Sequence, residues 1–256
     1  MRRRVEVDIV AATIILSGTL VLVFGVARVA AVRQLQLYIS PDNGELRLFD
    51  ERYGPERNSE HAEEWILRDF FRDKRNGVFV DIGANDYKRF SNTYYLDVER
   101  GWSGLAIEPQ TKFAADYAKH RPRTTFVPLF VSDASNREAV LYVGRADVLA
   151  SVSRDLAESA GGSAEAVGVR TTSLDDVLDR SSISQFDFLN IDIELAEPAA
   201  LAGFSIERFK PALVCIEAHL VVRQKILDYF AQHGYVLVGK YLRVDHHNLW
   251  FAPLSG

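Results

Sequence analysis

The first strong pattern along the chain is an uncharged run, Ile9–Ala27, 19 residues bounded by Asp8 and Arg28. As a helix rising about 1.5 Å per residue it would cover roughly 28 Å, close to the roughly 30 Å hydrocarbon core of a bilayer. Only Thr13, Ser17 and Thr19 interrupt it, so it lacks the polar stripe of a helix packed on a globular core. The pattern predicts one transmembrane helix, with its flanks filling residues 1–33. A cleaved signal peptide is the alternative, with Val29 and Ala31 as small residues before the cut, but the run is longer than a usual signal core. Residues 34–57 read as a juxtamembrane linker, with turn signals at Pro41-Asp42-Asn43-Gly44 and at Gly54-Pro55.

From residue 58 onward the pattern changes. Trp65, Ile66, Asp69 and Phe70 follow helical spacing, with Glu60, Glu63 and Glu64 ahead of them. Short apolar runs then recur at Val78–Ile82, Gly104–Ile107, Thr125–Val131, Phe186–Ile193 and Ala212–Ile216. Candidate helices lie between or after them at about 92–100, 110–120, 173–180, 196–203 and 222–233. Near-continuous apolar strands alternating with helices predict an α/β domain over 58–256, with a mostly parallel sheet covered on both faces. Two final runs, Tyr235–Val244 and Leu249–Pro253, are separated only by Asp245-His246-His247-Asn248. They predict a C-terminal antiparallel hairpin at the sheet edge. The Ala-, Ser- and Gly-rich stretch 150–168 reads as a mobile insertion, able to close over a ligand or to be a plain loop.

Composition narrows the class. Of 256 residues, 48% are hydrophobic and 25% charged, ordinary globular usage. A net charge of −5 argues against a dedicated nucleic-acid binder. The single cysteine, Cys215, excludes an intrachain disulfide and a multi-cysteine zinc site; inside an apolar strand it reads as packing.

In a parallel α/β sheet, ligands bind beyond the carboxyl ends of the strands. Those ends carry Asp81-Ile82-Gly83-Ala84-Asn85-Asp86, Glu108-Pro109, Asp192-Ile193-Glu194 and Glu217-Ala218-His219. Gly83 permits a tight turn and Ala84 leaves the backbone accessible. Glu108 is placed to accept hydrogen bonds from ribose hydroxyls. The first loop has neither the Gly-Lys-Ser/Thr of a phosphate loop nor G-x-G-x-x-G, and Asp81 and Asp86 would repel a pyrophosphate. An acidic loop beside an acidic strand end suits a cationic, ribose-bearing cofactor, of which S-adenosylmethionine is one.

The stretch Gly77–Pro109 resembles the FkbM-type methyltransferases, a branch of the S-adenosylmethionine-dependent class I methyltransferase fold, which is Rossmann-like. The resemblance rests on Val80-Asp81-Ile82-Gly83-Ala84-Asn85-Asp86, Ser91-Asn92-Thr93, Gly101-Trp102 and Ile107-Glu108-Pro109. It continues in Thr172-Ser173-Leu174-Asp175, Phe188 to Glu194 and Ile216-Glu217, and covers about residues 59–253. It implies methyl transfer, commonly to a hydroxyl of a sugar or small molecule, with Asp81, Gly83 and Glu108 lining the cofactor site. Two positions depart from the family pattern: Tyr87 stands after Asn-Asp where glycine is usual, and Glu194-Leu195-Ala196-Glu197 lacks the glycine of Glu-Gly-x-Glu. A ring at Tyr87 would crowd the loop, and a positive φ there would strain it.

The candidate cofactor-binding residues are thus Asp81, Gly83, Ala84, Asn85, Glu108 and Pro109. Asn92 and Glu217 are candidates for substrate contact, and His219, Asp192 and Glu194 for catalysis, His219 first as general base. Asp192, Glu194, Glu217 and His219 also have metal-ligating chemistry, but nothing in the sequence fixes their distances and no metal is expected. The pair His246-His247 reads as a solvent-facing turn. Expected partners are a small-molecule, glycan or lipid-linked acceptor and a membrane, with no nucleic acid. The side of the membrane stays open: Arg2, Arg3 and Arg4 ahead of the span favour an external domain, whereas cofactor supply favours the cytoplasm. A non-catalytic, membrane-tethered domain is the alternative reading.

Overall fold

The computed structural model describes residues 43–144, 150–159 and 162–254, all within one unit, Pro41–Gly256. The expected span Ile9–Ala27 lies outside the described residues. Among the described residues no helix is long and apolar enough to cross a membrane.

Within the stretch read as a linker, Asn43–Tyr53 forms helix α1. Leu46, Phe49 and Tyr53 pack toward the core, and Gly54, at φ +84°, ends the helix by donating its N–H to the Asp50 carbonyl at 2.8 Å. The turn signal at Asn43-Gly44 is therefore overridden by an apolar face that finds a partner. Helix α2 (Glu63–Phe71) follows, and then the alternation predicted from the sequence.

Seven strands build the main sheet: β1 (Val78–Ile82), β2 (Ser103–Ile107), β3 (Thr124–Val127), β8 (Phe188–Ile191), β9 (Leu213–Glu217), β10 (Tyr235–Leu237) and β11 (Asn248–Pro253). Their order is β3-β2-β1-β8-β9-β11-β10. The pairs from β3 to β9 are parallel, and β11 runs antiparallel to both β9 and β10. The final hairpin exists, but not with the short connection expected. The first arm stops at Leu237, and residues 238–247 form a longer loop with a 3₁₀ turn at Gly239–Tyr241. Tyr241, read as strand, is buried there instead, its hydroxyl donating to Asp69.

The apolar run Thr125–Val131 divides at Pro128, which has no N–H to give a ladder. Its second half, β4 (Phe130–Val131), joins β5 (Glu138–Val143), β6 (Ala150–Ser151) and β7 (Glu165–Thr172) in a separate sheet of order β4-β7-β5-β6. Most of the stretch expected as an insertion loop is therefore regular structure, including α5 (Arg154–Glu158), capped by the Ser153 hydroxyl. The remaining helices, α3 (Tyr94–Val98), α4 (Ala114–His120), α6 (Leu174–Arg180), α7 (Glu197–Ala202), α8 (Ile206–Phe209) and α9 (Arg223–Gln232), fall mostly within the expected windows; α8 was not foreseen.

Period-two alternation explains why both sheet faces are buried. Val80, Ile82, Leu105, Ile107, Leu189, Ile191, Val214 and Ile216 belong to the core beneath α6 to α9. Phe79, Phe188, Leu213, Cys215 and Trp250 belong to a second core with Trp65, Ile66 and Leu67 of α2 and with Trp102.

β1 and β2 approach closely at Gly104, where a Cβ would lie 2.1 Å from the Phe79 carbonyl oxygen. Gly104→Ala is expected to cost about 1–3 kcal/mol, lowering Tm by several degrees in a thermal melt at roughly 2–4 °C per kcal/mol for a domain this size. Gly168→Ala in β7, where the same atom meets open space, should leave Tm nearly unchanged.

Candidate active site

The register of the main sheet turns separate strand ends into one surface. Asp81 lies level with Ala106 on one side and Asn190 on the other; Asn190 is level with Cys215, and Cys215 with Trp250. Two residues further along, on the same face, come the strand tips Glu108, Gly83, Asp192, Glu217 and Asn248. The chain holds this row with backbone bonds from Gly83 to Ile107 at 2.9 Å and from Asp192 to Ile82 at 3.0 Å, and Glu217 pairs directly with Asn248. Acids on β1, β2, β8 and β9 thereby share one face because the side-chain period of a strand is two.

Above this row opens a cavity of about 240 Å³. It is lined by Asp81, Gly83, Ala84, Asn85, Asn92, Glu108, Pro109, Asp192, Glu194 and Glu217, so all but one of the sequence-derived site residues meet in it. The exception, His219, stands behind the wall, with Nε2 3.2 Å from Glu194 Oε2 and 3.1 Å from Glu217 Oε1.

Each acid has its own setting. Asp81 is buried; its oxygens accept from the Thr93 hydroxyl at 2.7 Å and the Asn190 amide at 2.9 Å. Burial raises its pKa, opposed by those two bonds and by the Arg121 charge. Glu108 accepts the backbone N–H of Gln110 at 2.9 Å and of Asn85 at 3.3 Å, with burial again pushing its pKa up. Burial and the neighbouring charges of Glu217 and Glu194 lift Asp192 well above the usual carboxylate range. Glu194 is raised to about 7, by burial first and then by Glu217. Its partner His219 is raised to about 9, mainly by hydrogen bonding to Glu217. At neutral pH His219 is thus an imidazolium clamped between two carboxylates, which removes it from the role of free base. Ligand atoms of Glu194, Glu217 and His219 all lie within 4.8 Å of one another, a spacing compatible with a metal, and the shared Nε2 contact leaves the buried Glu217 Oε2 without a hydrogen-bond partner.

Sequence reasoning missed the opposite wall. Glu60, His61 and Glu63, read as part of a helix start, line the cavity together with His247 and Asn248. His61 stacks on His247 with centroids 4.2 Å apart and planes 8° from parallel. Glu63 accepts from the His61 backbone N–H at 2.8 Å and from the Asn248 amide at 3.0 Å, and burial raises it to about 7. His246 and His247 are exposed in a bend, as expected, but His247 also lines this wall, where partial burial and the nearby His246 and His61 hold its pKa down. A signal was present in the pairing of Asn248 with Glu217, but only after the hairpin register is known.

The chain matches the family of the methyltransferase FkbM domain over residues 81–237, more than half of its length. It belongs to this family. Among solved structures it is similar to a methyltransferase FkbM from Methylobacillus flagellatus KT, at 17% identity and TM-score 0.43, covering 78% of this chain and 46% of that one. It is also similar to a precorrin-6y C5,15-methyltransferase from Geobacter metallireducens GS-15, at 14% identity and TM-score 0.40, covering 73% and 84%. The chain thus spans under half the length of the first. A search of curated proteins gave no match. The wall made by Glu60, His61, Glu63, His247 and Asn248 lies outside the matched segment.

Both departures from the FkbM pattern are accommodated. Tyr87 keeps a negative φ, stacks on His120 at 4.6 Å and does not line the cavity. The expected crowding is absent because the ring packs beside the Ala84, Ala106 and Tyr117 cluster instead of entering the cavity. Leu195 does adopt the left-handed region, at φ +81°, with Glu194 at +52° before it, a cost of order 1–3 kcal/mol per residue. Buried Glu197 holds this loop by accepting the N–H groups of Ile193 and Leu195, both at 3.2 Å, and the Ser151 hydroxyl donates to the Glu194 carbonyl at 2.7 Å. Gly83, at φ +83°, is irreplaceable in a different way: a Cβ there would lie 1.8 Å from the Asp192 carbonyl oxygen.

Beneath Asp81 lies a fully buried Arg121. Its guanidinium donates to Asp97 at 3.0 Å, to the Ser91 hydroxyl at 3.3 Å and to the Thr93 carbonyl and hydroxyl at 3.1 and 3.0 Å. Removing Arg121 would leave the buried Asp97 with only the half-exposed Arg123 as counter-charge, at 3.0 Å. Arg121→Met is expected to destabilise the domain by about 3–5 kcal/mol, measured by urea unfolding. A second outcome concerns pH. Because the folded pKa of His219 lies above its ordinary 6.5, its stabilising contribution is full below pH 6.5 and is lost as pH rises through about 9. The stability difference between the wild type and His219→Gln should shrink over that window, and the imidazole should titrate near pH 9 by NMR.

Proposed function

We propose that the domain transfers a methyl group from S-adenosylmethionine to an oxygen nucleophile, a hydroxyl of a sugar, small-molecule or lipid-linked acceptor, while tethered by Ile9–Ala27. The observation that carries this reading is the single row Glu108, Gly83, Asp192, Glu217 and Asn248 facing one cavity. The donor set fits the cofactor. Carboxylates predominate around the cavity and match a positive charge, and Glu108, held by the backbone N–H groups of Asn85 and Gln110, presents a fixed acceptor carboxylate to a ribose hydroxyl. Among the cavity-lining residues Arg89 is the only permanent cation, which disfavours an anionic phosphate ligand.

When bound, S-adenosylmethionine supplies an electrophilic methyl group on a cationic sulfur. The protein's work is then alignment and proton removal. Glu108 and the Gly83–Asn85 loop hold the cofactor over β1 and β2, with Asp81 beneath it keeping Asn190 and Thr93 oriented. The tips of β8, β9 and β11, with the His61–His247 stack, remain for the acceptor. Glu194, with a pKa of about 7, is poised to take the hydroxyl proton, with Asp192 beside it. Fixing the two reactants together can contribute on the order of 7–11 kcal/mol, and base assistance about 10²–10⁴-fold. The non-catalytic alternative rests on Tyr87, Leu195 and the Arg2-Arg3-Arg4 cluster; with Tyr87 outside the cavity and the Leu195 loop held by Glu197, the Arg cluster remains its support.

Calorimetric titration with S-adenosylmethionine tests the reading. Glu108→Ala is expected to weaken binding by roughly 1.5–3 kcal/mol, the scale of a charged hydrogen bond. Unchanged affinity in the variant would remove Glu108 from the site. Absence of any thermal stabilisation of the wild type by millimolar S-adenosylhomocysteine would return the non-catalytic reading, since ligand at 100 times Kd adds about 2.7 kcal/mol.

A further inference from the structure

Leu220 and Val221 are the two most exposed large apolar side chains among the described residues, at 79% and 75%. They directly follow His219, whose ring touches Glu194 and Glu217 of the cavity wall. Phe90, a cavity-lining residue, and Val152, which follows the Ser151 that binds the Glu194 carbonyl, are exposed as well. Single exposed apolar residues need no explanation, but several around the mouth of a polar cavity do. Lys88 and Arg89 are exposed beside Phe90, with the Arg89 guanidinium 5.0 Å from its ring. Apolar tips flanked by cations have the composition of a surface that dips into the headgroup region of an anionic bilayer. The rest of the chain supplies the occasion: residues 28–42, 15 in all, separate the apolar run Ile9–Ala27 from α1. Even fully extended, they reach only about 50 Å.

We infer that the rim formed by Phe90, Val152, Leu220 and Val221 docks on a lipid surface, so that the cavity draws its acceptor from lipid-linked molecules in that surface. What enters the cavity rests on the proposed methyl-transfer reading; the docking itself does not. A partner protein would call for a shape-complementary patch, whereas scattered side chains on separate loops suit a deformable lipid surface.

The test uses the full chain reconstituted into vesicles of phosphatidylcholine and phosphatidylglycerol with acyl-brominated lipid. An environment-sensitive fluorophore is attached at Leu220→Cys or, for comparison, at Val236→Cys on edge strand β10; the native Cys215 is buried. Quenching by the brominated chains is expected to be at least twofold stronger at 220 than at 236. Lys88→Ser should reduce it in vesicles with phosphatidylglycerol but not in phosphatidylcholine alone. Equal quenching at both positions, or free access of aqueous iodide to 220, would overturn the inference. A blue shift at 220 that appears in detergent with rising protein concentration would overturn it too, assigning the rim to a second copy of the chain. Calorimetry with S-adenosylhomocysteine on the same samples separates the two readings: lost binding with intact quenching refutes methyl transfer alone, and the reverse refutes docking alone.

Discussion

Arg121 has no exposure to water, and most of the site's order follows from that. A buried guanidinium must have its charge balanced and its hydrogens accepted. Asp97 from α3 provides the charge; Ser91 and Thr93 provide the oxygens. The segment from 91 to 97 is thereby pinned beneath the tip of β1. Thr93, held from below by Arg121, donates upward to Asp81, and Asp81 in turn fixes Asn190, which receives the Asn92 amide at 3.0 Å. The carboxylate at the floor of the cavity is tolerated because a counter-charge lies one layer below it.

The division of the cavity follows from strand order. Crossovers carry the chain outward from β1 through β2 to β3 on one side and through β8 to β9 on the other, so the acids at the tips come from distant stretches of sequence. Their crowding raises the pKa of Asp192 and Glu194 and creates a region where a cation is welcome and a phosphate is not. The opposite wall carries the stacked His61 and His247 beside Glu60, Glu63 and Asn248.

Much of this was legible in the sequence because strand ends and period-two patterning are local properties. Val78–Ile82 and the acids at Asp81, Glu108, Asp192 and Glu217 needed only their neighbours to be placed on strands. Arg121 was not legible: a lone arginine between a helix and a strand looks solvent-facing until the residues that surround it are known. The second sheet was missed since its strands, such as Glu138–Val143, are half-exposed and alternate weakly. Helix α1 was hidden by turn-forming residues at its start. Tyr87 was judged by the glycine it replaces, whereas its backbone never enters the region that requires glycine.

The antiparallel strand β11 has an implication for how the domain is made. It is translated after every other strand of the sheet, yet it sits between β9 and β10 rather than outside them. Until it emerges from the ribosome, β10 has no neighbour to pair with and the open edge of β9 is bare. The Asn248 amide, which ties this strand back to Glu63 near the start of the domain, is a late clasp. The cavity wall that carries Asn248 therefore forms only after β9 and β10 have both been made, by a later strand that inserts between them.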